Sequence, residues 1–351
     1  MTHLWVRSEP RPNEDRVGIT PDGVKALISR GMTVTVEESA SRIIPIDGYA
    51  EAGAKIVPEG SWPDAPRDAL IFGLKELPDD GTPLVHKHIM FGHAYKGQPA
   101  GQKLLKRFAA GGGMLLDLEY LVDGDGRRVA AFGYWAGYAG AAVSLFAWAA
   151  QEDGDICAPV SEWHDVPAME AALRSALEGK PLPEALVIGA LGRVGRGATD
   201  LCEKMGVGVT QWDIAETAHG GPFPEVTDHG LFLNCILARP GTPVFVHETA
   251  PEEPRRLRVI GDIACDPDSD FSPIKVYNHT TTWDAPVLRV HDAPTLDVMA
   301  IDNLPSLLPL ESSEDFSDQL LPWLKQLGDL ERGVWGRARA TYLKYKPEAD
   351  A

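Results

Sequence analysis

The sequence predicts an α/β chain of two doubly wound domains with a cleft between them. Three observations lead there. Short apolar segments alternate with amphipathic helical ones through both halves. Residues 185–205 run from an apolar strand through a cluster of glycines into a helix. Between the halves, residues 129–150 carry no charged side chain and are rich in Ala and Gly.

In the first half, residues 3–7 read as a short strand. A polar loop with Glu9, Arg11, Glu14, Asp15 and Arg16 follows. Thr20 suits an N-cap and Pro21 the first turn of a helix. That helix shows Val24, Leu27 and Ile28 on one face and ends at Gly31. Residues 32–37 alternate like a strand, 49–53 are helical, and 55–57, 69–74, 88–91 and 113–117 are further strands, with a helix over 100–110. This β-α-β order calls for a parallel sheet covered on both faces.

The uncharged stretch at 129–150 is long enough to cross a bilayer. Its small residues, with Gly133, Gly137 and Gly140 close together, favour a buried helix packed tightly between two halves. A helix over 167–177 and a turn at 179–183 come next. Strands are expected at 185–188, 207–212, 231–237, 258–263, 274–277 and 286–291, and helices at 316–327 and 333–345.

Residues 186–197 read LVIGALGRVGRG. A strand, a glycine turn and a helix N-terminus make an anion site, because free amides and the helix dipole point at a phosphate. Gly189, Gly192 and Gly195 give G-x-x-G-x-x-G, a variant of the dinucleotide fingerprint, and Gly197 follows. Asp213 comes after the next strand, close to the roughly 20-residue offset of the acid that holds the adenosine ribose. A carboxylate there accepts from both ribose hydroxyls and repels a 2′-phosphate, which favours NAD over NADP. Both domains are therefore expected to be Rossmann-like, with ligands at the carboxyl ends of strands.

The 351 residues allow two domains and a substantial core. Hydrophobic content of 44% and charged content of 24% are those of a soluble globular protein. A net charge of −18 argues against nucleic acid and anionic membranes as partners. An anionic substrate would need cations gathered locally. The four cysteines, Cys157, Cys202, Cys235 and Cys265, form no C-x-x-C pair. Early charges at Arg7, Glu9 and Arg11 are unlike a signal peptide, so a cytoplasmic location with free thiols is expected.

Lys75 and His93 each follow an apolar strand in the first half. Should those strands be neighbours, both side chains reach one cleft. A desolvated amine or an imidazole can exchange protons near neutral pH. Lys96, Arg16, Arg127 and Arg128 are candidate cations for substrate carboxylates, and Gln98 a polar candidate. His86 and His88 share a face of one strand, but no carboxylate or cysteine is spaced to complete a metal set, and no metal is expected.

Several strings are similar to a known family. They are E-D-R-V-G-I-T-P with V-K-A-L-I-S-R-G near the start, G-L-K-E-L-P around Lys75, H-I-M-F-G-H-A-Y-K around His93 and G-R-R-V-A-A-F-G from Gly126. I-G-A-L-G-R-V-G-R-G, W-D-I-A-E-T around Asp213 and I-D-N-L-P-S-L-L-P from Ile301 complete the set. The chain resembles the lysine-forming, NAD-dependent saccharopine dehydrogenases, relatives of alanine dehydrogenase and of the transhydrogenase α subunit. The resemblance implies oxidation of saccharopine at its secondary amine, hydride transfer to NAD, and hydrolysis of the imine to lysine and 2-oxoglutarate. It implies Lys75 as base for the amine and His93 as the acid–base residue of hydrolysis. Arg16, Lys96, Gln98, Arg127, Arg128 and Phe132 match substrate positions. Gly189, Gly192, Arg193, Gly195, Asp213 and Thr217 match cofactor positions, with Ile263, Ala264, Cys265, Asp266, Ile301, Asp302, Asn303 and Leu304 as further cofactor-facing residues. The family fold returns its C-terminal helices to the first domain. The implied domains are 1–132 with 311–351 on the substrate side and 133–310 for NAD.

The sequence also departs from the fungal members it resembles. Val194 replaces a cysteine able to pair with the one matching Cys235, Leu237 replaces a tyrosine near the adenine, and Asn303 replaces a histidine. The ending Glu348-Ala349-Asp350-Ala351 lacks the fungal peroxisomal signal. The alternatives are a related NAD-dependent amino-acid or opine-type dehydrogenase, and a catalytically silent NAD-binding regulator. Oligomeric state is left open.

Overall fold

The apolar runs of the first half become strands β1 (His3–Val6), β2 (Thr33–Glu37), β3 (Lys55–Val57), β4 (Leu70–Phe72), β5 (Lys87–Met90) and β6 (Met114–Asp117). They are paired in parallel in the order β3-β2-β1-β4-β5-β6. Helices α1 (Pro21–Ile28), α2 (Ile46–Glu51) and α3 (Pro99–Gly111) connect them. Thr20 caps α1 as its sequence position suggests, accepting from the Gly23 amide at 3.3 Å. In this computed structural model, which describes residues 1–267 and 269–347, the chain divides into two units. One is Met1–Ala131 together with the segment that begins at Pro309, and the other is Phe132–Leu308.

The second unit holds α4 (Gly133–Glu152), α5 (Val166–Leu177), β7 (Glu184–Ile188), α6 (Arg193–Lys204), β8 (Gly208–Trp212), α7 (Ile214–Thr217), α8 (Pro224–Asp228), β9 (Leu231–Asn234), β10 (Val259–Asp262), β11 (Val287–Asp292) and β12 (Thr295–Met299). Its sheet runs β11-β12-β10-β9-β7-β8, parallel except for the β11–β12 pair. Both sheets are thus doubly wound α/β sheets. The Gly-Ala stretch is α4, and it packs on α6 at backbone contact. A Cβ at Gly137 would sit 1.8 Å from the Val194 carbonyl oxygen, and one at Gly197 1.9 Å from that of Tyr134. No helix among the described residues is long and apolar enough to cross a membrane.

The chain then returns to the first unit. In α9 (Pro309–Leu324), the hydroxyls of Ser313 and Ser317 accept from the amides of Val17 and Thr20 at 2.9 and 3.0 Å. In α10 (Gly333–Tyr345), the Tyr342 hydroxyl donates to the Gly113 carbonyl at 3.2 Å. The terminal residues 348–351 lie outside the described residues.

Some expectations need correction. Residues 274–277 form no strand. Ile274 makes a single bridge to Val246, and its apolar neighbours fill the core as loop. Strand β12 is not among the expected strands, because Asp297 interrupts its apolar run. That carboxylate is fully buried and is held by Arg289 at 2.8 Å and Gln151 at 2.7 Å. β9 stops at Asn234 rather than continuing to 237. Helix α6 begins at Arg193, so Gly195 and Gly197 lie inside it as close-packing residues rather than in the turn before it.

Candidate active site

The order of the first sheet reverses between β1 and β4, so the loops after these two strands meet at its carboxyl edge. The loop after β1 brings Glu14 and Arg16 together, both buried, as a two-pronged pair at 2.7 and 2.6 Å. Lys75 follows β4, and its Nζ lies 3.7 Å from Glu14 Oε2. Burial lowers the Lys75 pKa, Arg16 lowers it further, and Glu14 opposes them. Burial alone would raise Glu14, but Arg16 and Lys75 hold it below its ordinary value.

β5 is the next strand, and His93 follows it in the left-handed region with φ 46°. Its Nδ1 lies 3.4 Å from Glu119 Oε2 and its Nε2 lies 3.8 Å from Glu76 Oε1. Contact with Glu119 is the first cause that raises the His93 pKa, against burial. Glu119 sits just past β6 and also holds Lys96 at 2.9 Å and Arg128 at 3.4 Å. Contact with His93, then with these two cations, pulls its carboxyl down to about 2. Beside it, burial pushes Asp117 up to about 6. Lys75 and His93 are therefore on adjacent strand ends, joined through Glu76.

Of the remaining expected residues in this unit, Gln98 is exposed at the start of α3, where its side chain makes no cap. Arg127 stands exposed on a turn, its amide donating to Asp123 at 2.9 Å. Phe132 begins the second unit, at the N-cap of α4. Glu14, Glu76, Asp117 and Glu119 were not singled out from the sequence. The strand-end rule that selected Lys75 and His93 reaches Asp117 and Glu119 equally, since Met114-Leu115-Leu116-Asp117 is a strand.

In the second unit the order reverses between β7 and β9. Gly189 takes φ 89°, and a Cβ on it would meet Ile236 Cγ2 at 2.6 Å. Gly192 is the N-cap of α6, and no side chain caps that helix. A Cβ at Gly195 would lie 2.1 Å from the Gly189 carbonyl oxygen, so only glycine lets α6 dock on the turn. Asp213 follows β8 as the N-cap of α7 and accepts from the Leu191 amide at 3.1 Å and the Ile214 amide at 2.9 Å, while Thr217 donates to its carbonyl at 3.0 Å. A bare helix end next to a carboxylate fits a dinucleotide phosphate and ribose.

The later cofactor-facing residues divide. Ile263, Ile301 and Leu304 are buried in the core, with Ile263 and Leu304 against Gly140. Ala264, Cys265, Asp266, Asp302 and Asn303 are part-exposed or exposed. Cys265 is left-handed (φ 49°), and the Asp262 carboxylate accepts from its amide at 3.2 Å. All four cysteines are free thiols. His86 and His88 are buried against Trp62, and the described residues hold no group of three or more His, Cys, Asp or Glu able to bind a metal.

Residues 5–139 match the family described as alanine dehydrogenase/PNT, N-terminal domain. Saccharopine dehydrogenase [NAD(+), L-lysine-forming] of Candida glabrata is 44% identical over 99% of this chain and 97% of its own. The protein of the same name from Emericella nidulans is 46% identical over 95% of each. The chain belongs to the lysine-forming, NAD-dependent saccharopine dehydrogenase family. The solved structure of an L-alanine dehydrogenase, 18% identical, shares the fold with a TM-score of 0.70 over 98% of this chain and 94% of its own. Within the saccharopine dehydrogenase family, the present chain has Val194 on α6 and Cys235 after β9, so no disulfide can join these two positions.

Proposed function

We propose that this chain oxidises saccharopine with NAD and hydrolyses the imine to lysine and 2-oxoglutarate, with Lys75 and His93 as its acid–base pair. The carrying observation is the edge of the first sheet. A part-buried amine with a lowered pKa and an imidazole with a raised one stand just past adjacent strands, each with its own carboxylate. Neutral Lys75 takes the proton of the substrate's secondary amine as the neighbouring C–H bond breaks. NAD, when bound, supplies the acceptor for the departing hydride. His93 takes a proton from the water that adds to the imine carbon, while Lys75 returns its proton to the imine nitrogen. His93 then protonates that nitrogen as the C–N bond breaks, and Lys75 takes the proton of the hydroxyl that becomes the 2-oxoglutarate carbonyl.

Arg16, Lys96, Arg127 and Arg128 supply the local positive charge that substrate carboxylates need in a chain of net charge −18, and Gln98 and Phe132 are further substrate-binding candidates. Gly189, Gly192, Arg193, Gly195, Asp213 and Thr217 would hold the dinucleotide, with residues 263–266 and 301–304 near it. The first unit is thus the substrate side and the second the NAD side. A cytoplasmic location and small-molecule partners belong to the same proposal.

NADH absorbance tests it. Saccharopine should reduce NAD well, and alanine and NADP should serve poorly. Lys75→Met and His93→Gln should each cut turnover by roughly 10²- to 10⁴-fold while NAD still binds. Faster turnover of alanine would refute the substrate, and unchanged rates in both variants would refute the roles.

A further inference from the structure

Lys75 is held by its peptide as well as by its side chain. Arg7 lies one residue past β1, and its amide donates to the Phe72 carbonyl at 2.9 Å, extending the ladder to β4. Its guanidinium turns across the end of β4. Nη2 donates to the Lys75 carbonyl, and Nη1 donates to the Ser8 carbonyl at 2.8 Å and pairs with Glu9 Oε2 at 3.3 Å. Glu9 grips the two peptides before the Lys75 carbonyl. Its Oε1 accepts from the Leu74 amide at 2.6 Å and its Oε2 from the Lys75 amide at 2.9 Å. Both side chains are buried. Gly73 makes the arrangement possible, because a Cβ there would lie 2.4 Å from Arg7 Cζ.

We propose that the Arg7–Glu9 pair is a positioning clamp that fixes the Lys75 backbone, and through it the amine, at the end of β4. The inference rests on Lys75 being the base of the proposed reaction. A buried ion pair is weak evidence for stability, since desolvation offsets most of the attraction. Here the pair makes three hydrogen bonds to one short segment, the segment that bears the reacting amine. A lysine side chain has four rotatable bonds, so an amine reaches a fixed place only from a fixed Cα. The clamp keeps that Cα where Nζ lies 3.7 Å from Glu14 Oε2, in a setting where burial and Arg16 lower its pKa and Glu14 opposes them. Glu9 itself is pushed up by burial, with Arg7 and the two amides opposing, which marks it as a carboxylate dependent on these partners.

The test uses the full-length enzyme with saccharopine and NAD. Glu9→Gln removes one acceptor, and Arg7→Met/Glu9→Gln removes both charges so that none is left alone in the core. Gly73→Ala keeps both charges and displaces only Arg7. Each should lose roughly tenfold or more in kcat/KM for saccharopine, the scale expected of a misplaced reacting group. The KM for NAD should stay within about twofold. The acidic limb of kcat/KM should move up by about half a pH unit, because a released amine leaves its burial and Arg16. Partly unfolded enzyme scales kcat alone and leaves both KM values and the limb in place. That outcome, or wild-type kinetics in any variant that folds, overturns the clamp. Should the first two variants fail to fold, Gly73→Ala decides. Wild-type turnover in a parallel Lys75→Met enzyme would instead overturn the reading of Lys75 as the base.

Discussion

In the first unit the strand order reverses between β1 and β4, and the loops there carry Arg7, Glu9, Glu14, Arg16 and Lys75. In the second it reverses between β7 and β9, and the loops there carry Gly189, Gly192 and Cys235. The topological place is shared, and its chemistry is opposite. Proton transfer needs side chains with displaced pKa values, which the first unit obtains by burying cations beside carboxylates. A phosphate needs close approach of backbone, which the second obtains by leaving side chains out. Proton transfer in the first unit should therefore answer to changes of charge, and the packing of the glycine turn and of α6 in the second to changes of volume.

The largest effect should come from volume. Gly197→Ala places a methyl 1.9 Å from the Tyr134 carbonyl oxygen and should destabilise the second unit by about 3 kcal/mol in urea denaturation. Near-native stability would mean that α4 and α6 can slide apart freely. Asp213→Ala sharpens the contrast, because it is the carboxylate of the glycine-rich edge. The Kd for NAD should rise about tenfold, the worth of one charge-assisted hydrogen bond, with the saccharopine KM unchanged.

The first unit should respond to pH beyond its site. His88 packs between Trp62 and Phe108 at ring distances of 5.0 and 5.4 Å, and among the described residues neither ring nitrogen has a partner. Burial, then Arg7, holds its pKa well below 6.5. The unfolded chain takes up that proton near pH 6.5 and the folded one does not, so stability is full above this pH and falls beneath it. His88→Leu should spare the protein about 1 kcal/mol of the loss between pH 6.5 and 5.5, read from denaturation at the two values. Equal losses in both proteins would exclude His88 as a source. The smallest effect concerns His93. Glu119→Gln removes the contact that raises its pKa, and the ring should titrate about half a unit lower by NMR. An unmoved titration would show that Glu76 and Asp117 suffice.

Much of this was legible in the sequence. Apolar runs of three to six residues with glycine or polar ends marked most strands, and Gly189, Gly192 and Gly195 marked the glycine turn between β7 and α6. Lys75 and His93 could be singled out because each follows a strand. The carboxylates were harder. Glu14 and Glu119 look like solvated charges, and their importance comes from Lys75 and His93, which lie far from them in the chain. Asp297 shows the same limit inside a strand, since a buried charge satisfied by Arg289 and Gln151 reads as a loop residue.

The sequence by itself determined the alternation of strands and helices, the glycine turn and the residue types available for proton transfer, because these follow from local periodicity and backbone freedom. Only the tertiary structure decided which glycines serve helix packing, which carboxylate each cation faces, and how Arg7 and Glu9 hold Lys75. Those depend on contacts between β1, β4, β5 and β6, or between α4 and α6, and the energy of a buried charge or a close backbone contact is set by neighbours that sequence order does not bring together.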